Sequence, residues 1–160
     1  GVLLGGSMSS RLFINLRERQ GLAYYIRTST EFYTDSGYLT TQAGVPVDKL
    51  EKAIQIILQE YKKIKTALAD KDELRRVKDL FAGKLAIQLE ASDNVADWYG
   101  RQAVIRKNIF SPEEYIKKIK SVKLTDLRRV AQDIFTNQGL NLAVIGPYRD
   151  EARFRKILKI

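Results

Sequence analysis

GGSMSSRLFINLRERQGLAY, residues 5–24, decides how this chain is read. Ser9 or Ser10 can begin a helix, because a hydroxyl placed before the first turn can take up one of its unpaired N–H groups. Leu12, Phe13 and Leu16 then form an apolar stripe, and Gly21 supplies the left-handed residue that commonly closes a helix. From Leu22 the pattern changes. LAYYIRTSTEFY is rich in aromatic and β-branched residues, TDSG at 34–37 reads as a turn, and YLTTQAGV returns as a second strand. A helix therefore runs into a β-hairpin, and Arg17 and Tyr24, seven positions apart, both sit near the junction.

Outward from this block the chain is mostly helical. Asp48 followed by Glu51 marks the start of a helix in which Leu50, Ala53, Ile54, Ile57, Tyr61, Ile64 and Leu68 recur at three and four. Asp70 with Glu73 opens a second helix, with Leu74, Val77, Phe81 and Leu85 inward. It runs to about Ala91, where Ser92 and Asp93 can cap the next one. Gly83 inside it signals close packing or a local weakness. Ser111, Pro112 and Glu114 form a capping box with proline at the first helical position. A further helix is expected over roughly 124–135, with Leu127, Val130, Ala131 and Ile134 inward. LNLAVIG at 140–146 reads as a short buried strand ended by Gly146 and Pro147, and a basic tail helix follows. That order predicts an α+β fold with helices packed on one face of a mainly antiparallel sheet.

The first block resembles the second domain of the insulinase, pitrilysin and mitochondrial processing peptidase family of zinc metallopeptidases. Gly5, Gly6, Met8 to Phe13, Leu16 to Glu18 and Gly21 to Tyr24 match its pattern of a glycine pair, a Met-Ser-Ser-Arg-Leu-Phe helix start, Leu-Arg-Glu and Gly-Leu-Ala-Tyr. WYGRQ at 98–102 and AVIGP at 143–147 continue the likeness more weakly. In such domains an arginine and a tyrosine reach towards a zinc site and hydrogen-bond the substrate near the scissile carbonyl, and by motif these are Arg17 and Tyr24. The residue types suit that work. A guanidinium presents a fixed fork of charged donors and a phenol presents one, both useful where negative charge develops on an oxygen. Against it stands the plainer reading, a solvated helix arginine and a half-buried strand tyrosine.

The chain has no histidine and no cysteine. The family's zinc-binding H-x-x-E-H helix cannot exist here, nor can Ser-His-Asp or Cys-His catalysis, thiol redox chemistry or a disulfide. Carboxylate pairs such as Asp70 and Asp72, Glu113 and Glu114, or Asp150 and Glu151 fall at helix starts, where the helix dipole explains them. No metal or cofactor is expected in this chain and no catalytic residue in it alone. Zinc is expected in a histidine-bearing catalytic domain or subunit of the same family, with a peptide as substrate, as the resemblance implies. A family member that has lost activity and serves as an assembly partner is the alternative. Only two glycines stand near the region where the family's noncatalytic processing-peptidase subunit carries a long glycine-rich loop, a departure that argues against presequence sensing of that kind.

Length and composition, 160 residues with 44% hydrophobic and 29% charged, fit one globular domain over residues 1–160. No apolar run approaches the ~20 residues of a transmembrane helix, so no membrane partner is expected and the chain reads as soluble, with a cytoplasmic setting as the default. GVLLGG reads as the last turn of an apolar helix, which suggests a domain truncated at its N-terminus and lacking its first strand. The open sheet edge would then favour a homodimer or the return of the missing segment. The formal charge of +9 raises a nucleic-acid-binding module as a reading of another class. The basic residues, however, lie scattered between the core positions of several helices, and no helix-turn-helix, RNP box or GXXG loop accompanies them.

Overall fold

A computed structural model describes all 160 residues, Gly1–Ile160. In chain order it comprises α1 (Val2–Gly5), a π-helical turn (Phe13–Glu18), β1 (Tyr25–Phe32), β2 (Gly37–Gly44), a 3₁₀ turn (Val47–Lys49), α2 (Leu50–Thr66), α3 (Lys71–Gln88), α4 (Ser92–Ile105), α5 (Pro112–Ser121), α6 (Leu124–Ile134) and α7 (Ala152–Ile157). The fold is helix-rich α+β with a small antiparallel sheet of two strands, as the alternation of patterns predicts. The chain divides into two compact units, residues 1–69 with 125–160 and residues 70–124.

In the first unit β1 pairs antiparallel with β2 from Tyr25 opposite Gly44 to Phe32 opposite Gly37. One face of the hairpin turns inward at its base, where Ile26 and Thr28 are buried. The Thr28 and Thr41 hydroxyls, directly opposite in the register, share a hydrogen bond of 2.8 Å. α1 packs against β1. Gly5 permits this approach, since a Cβ there would lie 2.3 Å from Thr28 Oγ1 and 2.7 Å from Thr28 N.

α2 lies against the π-turn and α7. Its Ala53, Ile54, Tyr61 and Ile64 are buried as their spacing predicts, and Ile56 and Leu58 join them. Leu68 is exposed, because the helix stops at Thr66 before that residue can complete the stripe. Tyr61 stacks on Phe135 with ring centroids 4.3 Å apart. At the far end of the chain Tyr148 donates its hydroxyl to the Val47 carbonyl at 2.9 Å, and Arg153 pairs with Glu51 at 2.7 Å.

The expected strand at 140–146 is absent. Those residues join no ladder, and Leu142 and Ile145 are exposed, the latter completely. Strand-forming residues need a partner edge and a covering surface, and the only ladder in the chain pairs β1 with β2.

In the second unit the starts of α3 and α5 follow the sequence, and the cap expected at Ser92 and Asp93 does not form. Asp70 accepts from the N–H groups of Asp72 and Glu73 at 2.8 and 3.1 Å. Ser111 and Glu114 make the reciprocal capping box, at 3.3 and 2.8 Å. α4 begins without a side-chain cap. The WYGRQ segment holds the chain that follows α4. Trp98 Nε1 and Gln102 Nε2 both donate to the Phe110 carbonyl at 3.1 Å, and Gln102 Oε1 accepts from Phe110 N–H at 3.0 Å. These two side chains fasten residues 106–111 to α4, and Trp98 meets Tyr115 edge-on at 5.2 Å.

Candidate functional site

The segment 5–24 is built tightly. Ser10 is buried, donates its hydroxyl to the Ser7 carbonyl at 2.6 Å, and accepts the Ile14 N–H on its own carbonyl at 3.0 Å. Leu12 and Leu16 are fully buried and anchor the helix. Beyond Ile14 the winding loosens: Arg19 N–H reaches back five residues to the Ile14 carbonyl at 2.9 Å, the π pattern that is often found at functional sites.

Gly21 closes the turn in the left-handed conformation, with φ of 59°. Its N–H donates to the Arg17 carbonyl at 3.0 Å, and the Leu22 N–H donates to Leu16 at 2.9 Å. The first is the bond of an ordinary left-handed helix closure, and the second reaches one residue farther back than in the related six-residue closing motif. The chain then runs into the hairpin, and the Tyr24 N–H donates to the Gly44 carbonyl at 2.8 Å.

An open groove of about 500 Å³ lies at this junction, lined by Gly21 to Tyr24 and by Gly44, Val45 and Pro46. Tyr24 lines it and is 87% exposed. Arg17 is not among its lining residues. It sits on the π-turn with its side chain 44% exposed, its guanidinium 4.9 Å from the Phe13 ring centre and 4.0 Å from Glu18. The backbone joins the two residues through Gly21, which both bonds Arg17 and lines the groove. No protein hydrogen bond or ion pair holds the Tyr24 hydroxyl, so it is open to a ligand.

Three partners of this segment escape a reading of sequence pattern. Val45 and Pro46 complete the groove. Glu60, three residues after Ile57 and four before Ile64, is a charged residue in an apolar stripe, a visible anomaly, and it is buried against Asn15 of the π-turn.

The residues present do not fit a zinc ion. No group of three or more histidine, cysteine, aspartate or glutamate side chains could hold a metal. One carboxylate of each pair accepts a backbone N–H at a helix start: Asp70 and Glu114 as above, and Asp150 through a 2.8 Å bond from the Ala152 N–H. No helix is long and apolar enough to cross a membrane.

Comparison with known proteins decides the family. The peptidase M16 inactive domain matches residues 1–81, half of the chain and all of the groove. The chain belongs to the peptidase M16 inactive-domain family. An uncharacterized zinc protease of Rickettsia bellii is 32% identical over 146 residues, 91% of this chain and 35% of that protein. A probable inactive metalloprotease of Bacillus subtilis is 25% identical over 132 residues, 82% of this chain and 30% of its own length. The chain thus spans about a third of the curated relatives it matches. The peptidase M16 inactive domain from Pseudomonas fluorescens superposes with a TM-score of 0.74 at 16% identity, covering 82% of this chain and 32% of that one, a likeness of fold alone.

Proposed function

We propose that this chain is the substrate-side, non-metal-bearing domain of a zinc-dependent endopeptidase, and that Arg17 and Tyr24 donate hydrogen bonds to a peptide whose cleavage site lies beside zinc held by another domain or subunit. The observation that carries the reading is the closure at Gly21. It joins the backbone of Arg17 to a groove lined by the unengaged phenol of Tyr24, in an M16 inactive-domain chain that has neither histidine nor cysteine. Donors of this kind stabilise charge that develops on a carbonyl oxygen, and losing one typically costs ~2.7 to 4 kcal/mol in the transition state. The Rickettsia relative, called a zinc protease, is nearly three times as long as the matched region, which supports a metal-bearing part outside it.

Purified alone, the chain should leave an unstructured fluorogenic peptide intact. Mixed with the histidine-bearing half and zinc, it should cleave that peptide. Cleavage by the histidine-bearing half alone at the same rate would remove the proposal.

A noncatalytic assembly partner is the second reading, favoured by the name of the Bacillus relative, a probable inactive metalloprotease. Such a partner would tolerate substitution of Arg17 and Tyr24 and would lose association when the hairpin is altered.

A further inference from the structure

Glu60 is 3% exposed in the apolar stripe of α2. A carboxylate in that position is costly unless its oxygens are hydrogen-bonded. Its Oε1 accepts from Asn15 Nδ2 at 2.9 Å and from Lys63 Nζ at 2.5 Å. The Asn15 amide oxygen accepts from Arg19 Nη1 at 3.3 Å. These partners leave the amide one orientation, since only its NH2 can meet a carboxylate and only its oxygen can meet a guanidinium.

Asn15 is the third residue of the π-turn, and Arg17 follows two positions later. Residues two apart on a helix do not share a face. An Asn15 fastened to α2 therefore turns Arg17 away from α2. The buried Leu12 and Leu16 set how deeply this segment sinks into the core, but apolar contact has no direction. The Asn15–Glu60 bond has direction, and it is the side-chain bond between the π-turn and α2 that can fix the rotation of the turn.

We propose that Asn15 and Glu60 are a positioning pair that holds the π-turn in the rotation at which Arg17 meets the peptide. This rests on the donor role given to Arg17 above. Neither residue touches substrate. A displacement of about 1 Å at a reacting group can cost ~100-fold in rate, so a small rotation of the turn is enough to matter.

The test is a double-mutant cycle in the complete peptidase, with its histidine-bearing half and zinc present and an unstructured fluorogenic peptide as substrate. Asn15→Ala should lower kcat by roughly ten- to a hundredfold with KM little changed, and should have no further effect in an Arg17→Ala background. Glu60→Gln keeps an oxygen that can accept from Asn15 Nδ2 and should retain kcat within about twofold. Amide exchange at Arg19, Gly21 and Leu22 should quicken in Asn15→Ala and not in Arg17→Ala.

If Arg17→Ala itself leaves kcat intact, the donor role falls and the coupling with it. If Arg17→Ala lowers kcat while Asn15→Ala has no effect, or lowers kcat by one factor in both backgrounds, the donor role stands and the positioning pair is overturned. Unchanged exchange at the three amides overturns it as well. Should Asn15→Ala fail to fold, Asn15→Ser enters the same cycle with the same expected outcomes.

Discussion

The Tyr61 hydroxyl donates to Thr41 Oγ1 at 2.5 Å, and Thr41 in turn shares a 2.8 Å hydrogen bond with Thr28. One side chain of α2 is thereby tied to both strands of the hairpin that follows Arg17 and Tyr24. Tyr61→Phe keeps the stacking on Phe135 and removes only this tie. It should lower stability by about 1 kcal/mol, read as a lower urea midpoint at unchanged slope.

Burial pushes the Tyr61 phenol above its ordinary value of 10.0, an effect larger than the opposing hydrogen bond to Thr41. The folded state therefore favours the protonated, neutral phenol. Its contribution is fully present below the unfolded value near ~10 and is lost as pH rises through the elevated folded value. Melting temperatures followed upward from about pH 9 should fall more steeply for the wild type than for Tyr61→Phe. Parallel curves would contradict the burial argument.

Two glycines should respond with opposite signs. Gly5→Ala places a methyl against the Thr28 backbone and should destabilise by roughly 1 to 3 kcal/mol. Gly83, inside α3, has nothing within 4 Å of an added Cβ, so it reflects local weakness rather than close packing. Gly83→Ala should stabilise by about 1 kcal/mol. Calorimetry on the two variants reads both signs.

Asp70 is held below its ordinary 3.8 by the Glu73 N–H first and the Asp72 N–H next. A carboxyl depressed in the folded state contributes above its unfolded value, and the contribution disappears as pH falls through the folded one. Asp70→Ala should therefore weaken the start of α3 at neutral pH and make little difference in strong acid. Amide exchange at Asp72 and Glu73 measures this.

Features that depend on residues close in sequence were legible. The caps at Asp70 and Ser111 and the left-handed Gly21 each bond a partner within a few positions, so residue type and spacing suffice. The π-winding was not legible: Leu12 and Leu16 have the same spacing in an α-helix, and the extra residue shows only in which carbonyl Arg19 N–H reaches. The Asn15–Glu60 bond joins residues 45 apart, and the signal available was a glutamate among isoleucines. The expected strand at 140–146 failed because strand composition does not supply a partner edge. Tyr24 was legible as an aromatic near a strand start, but a strand aromatic is read as half-buried and this one is 87% exposed.

The most direct measurement of the central claim is kcat for Arg17→Ala and Tyr24→Phe in the complete zinc-loaded peptidase. Donors that act on charge developing in the transition state predict a loss of roughly a hundred- to a thousandfold in kcat for each, with KM close to wild type. Wild-type kcat in both variants would contradict the account.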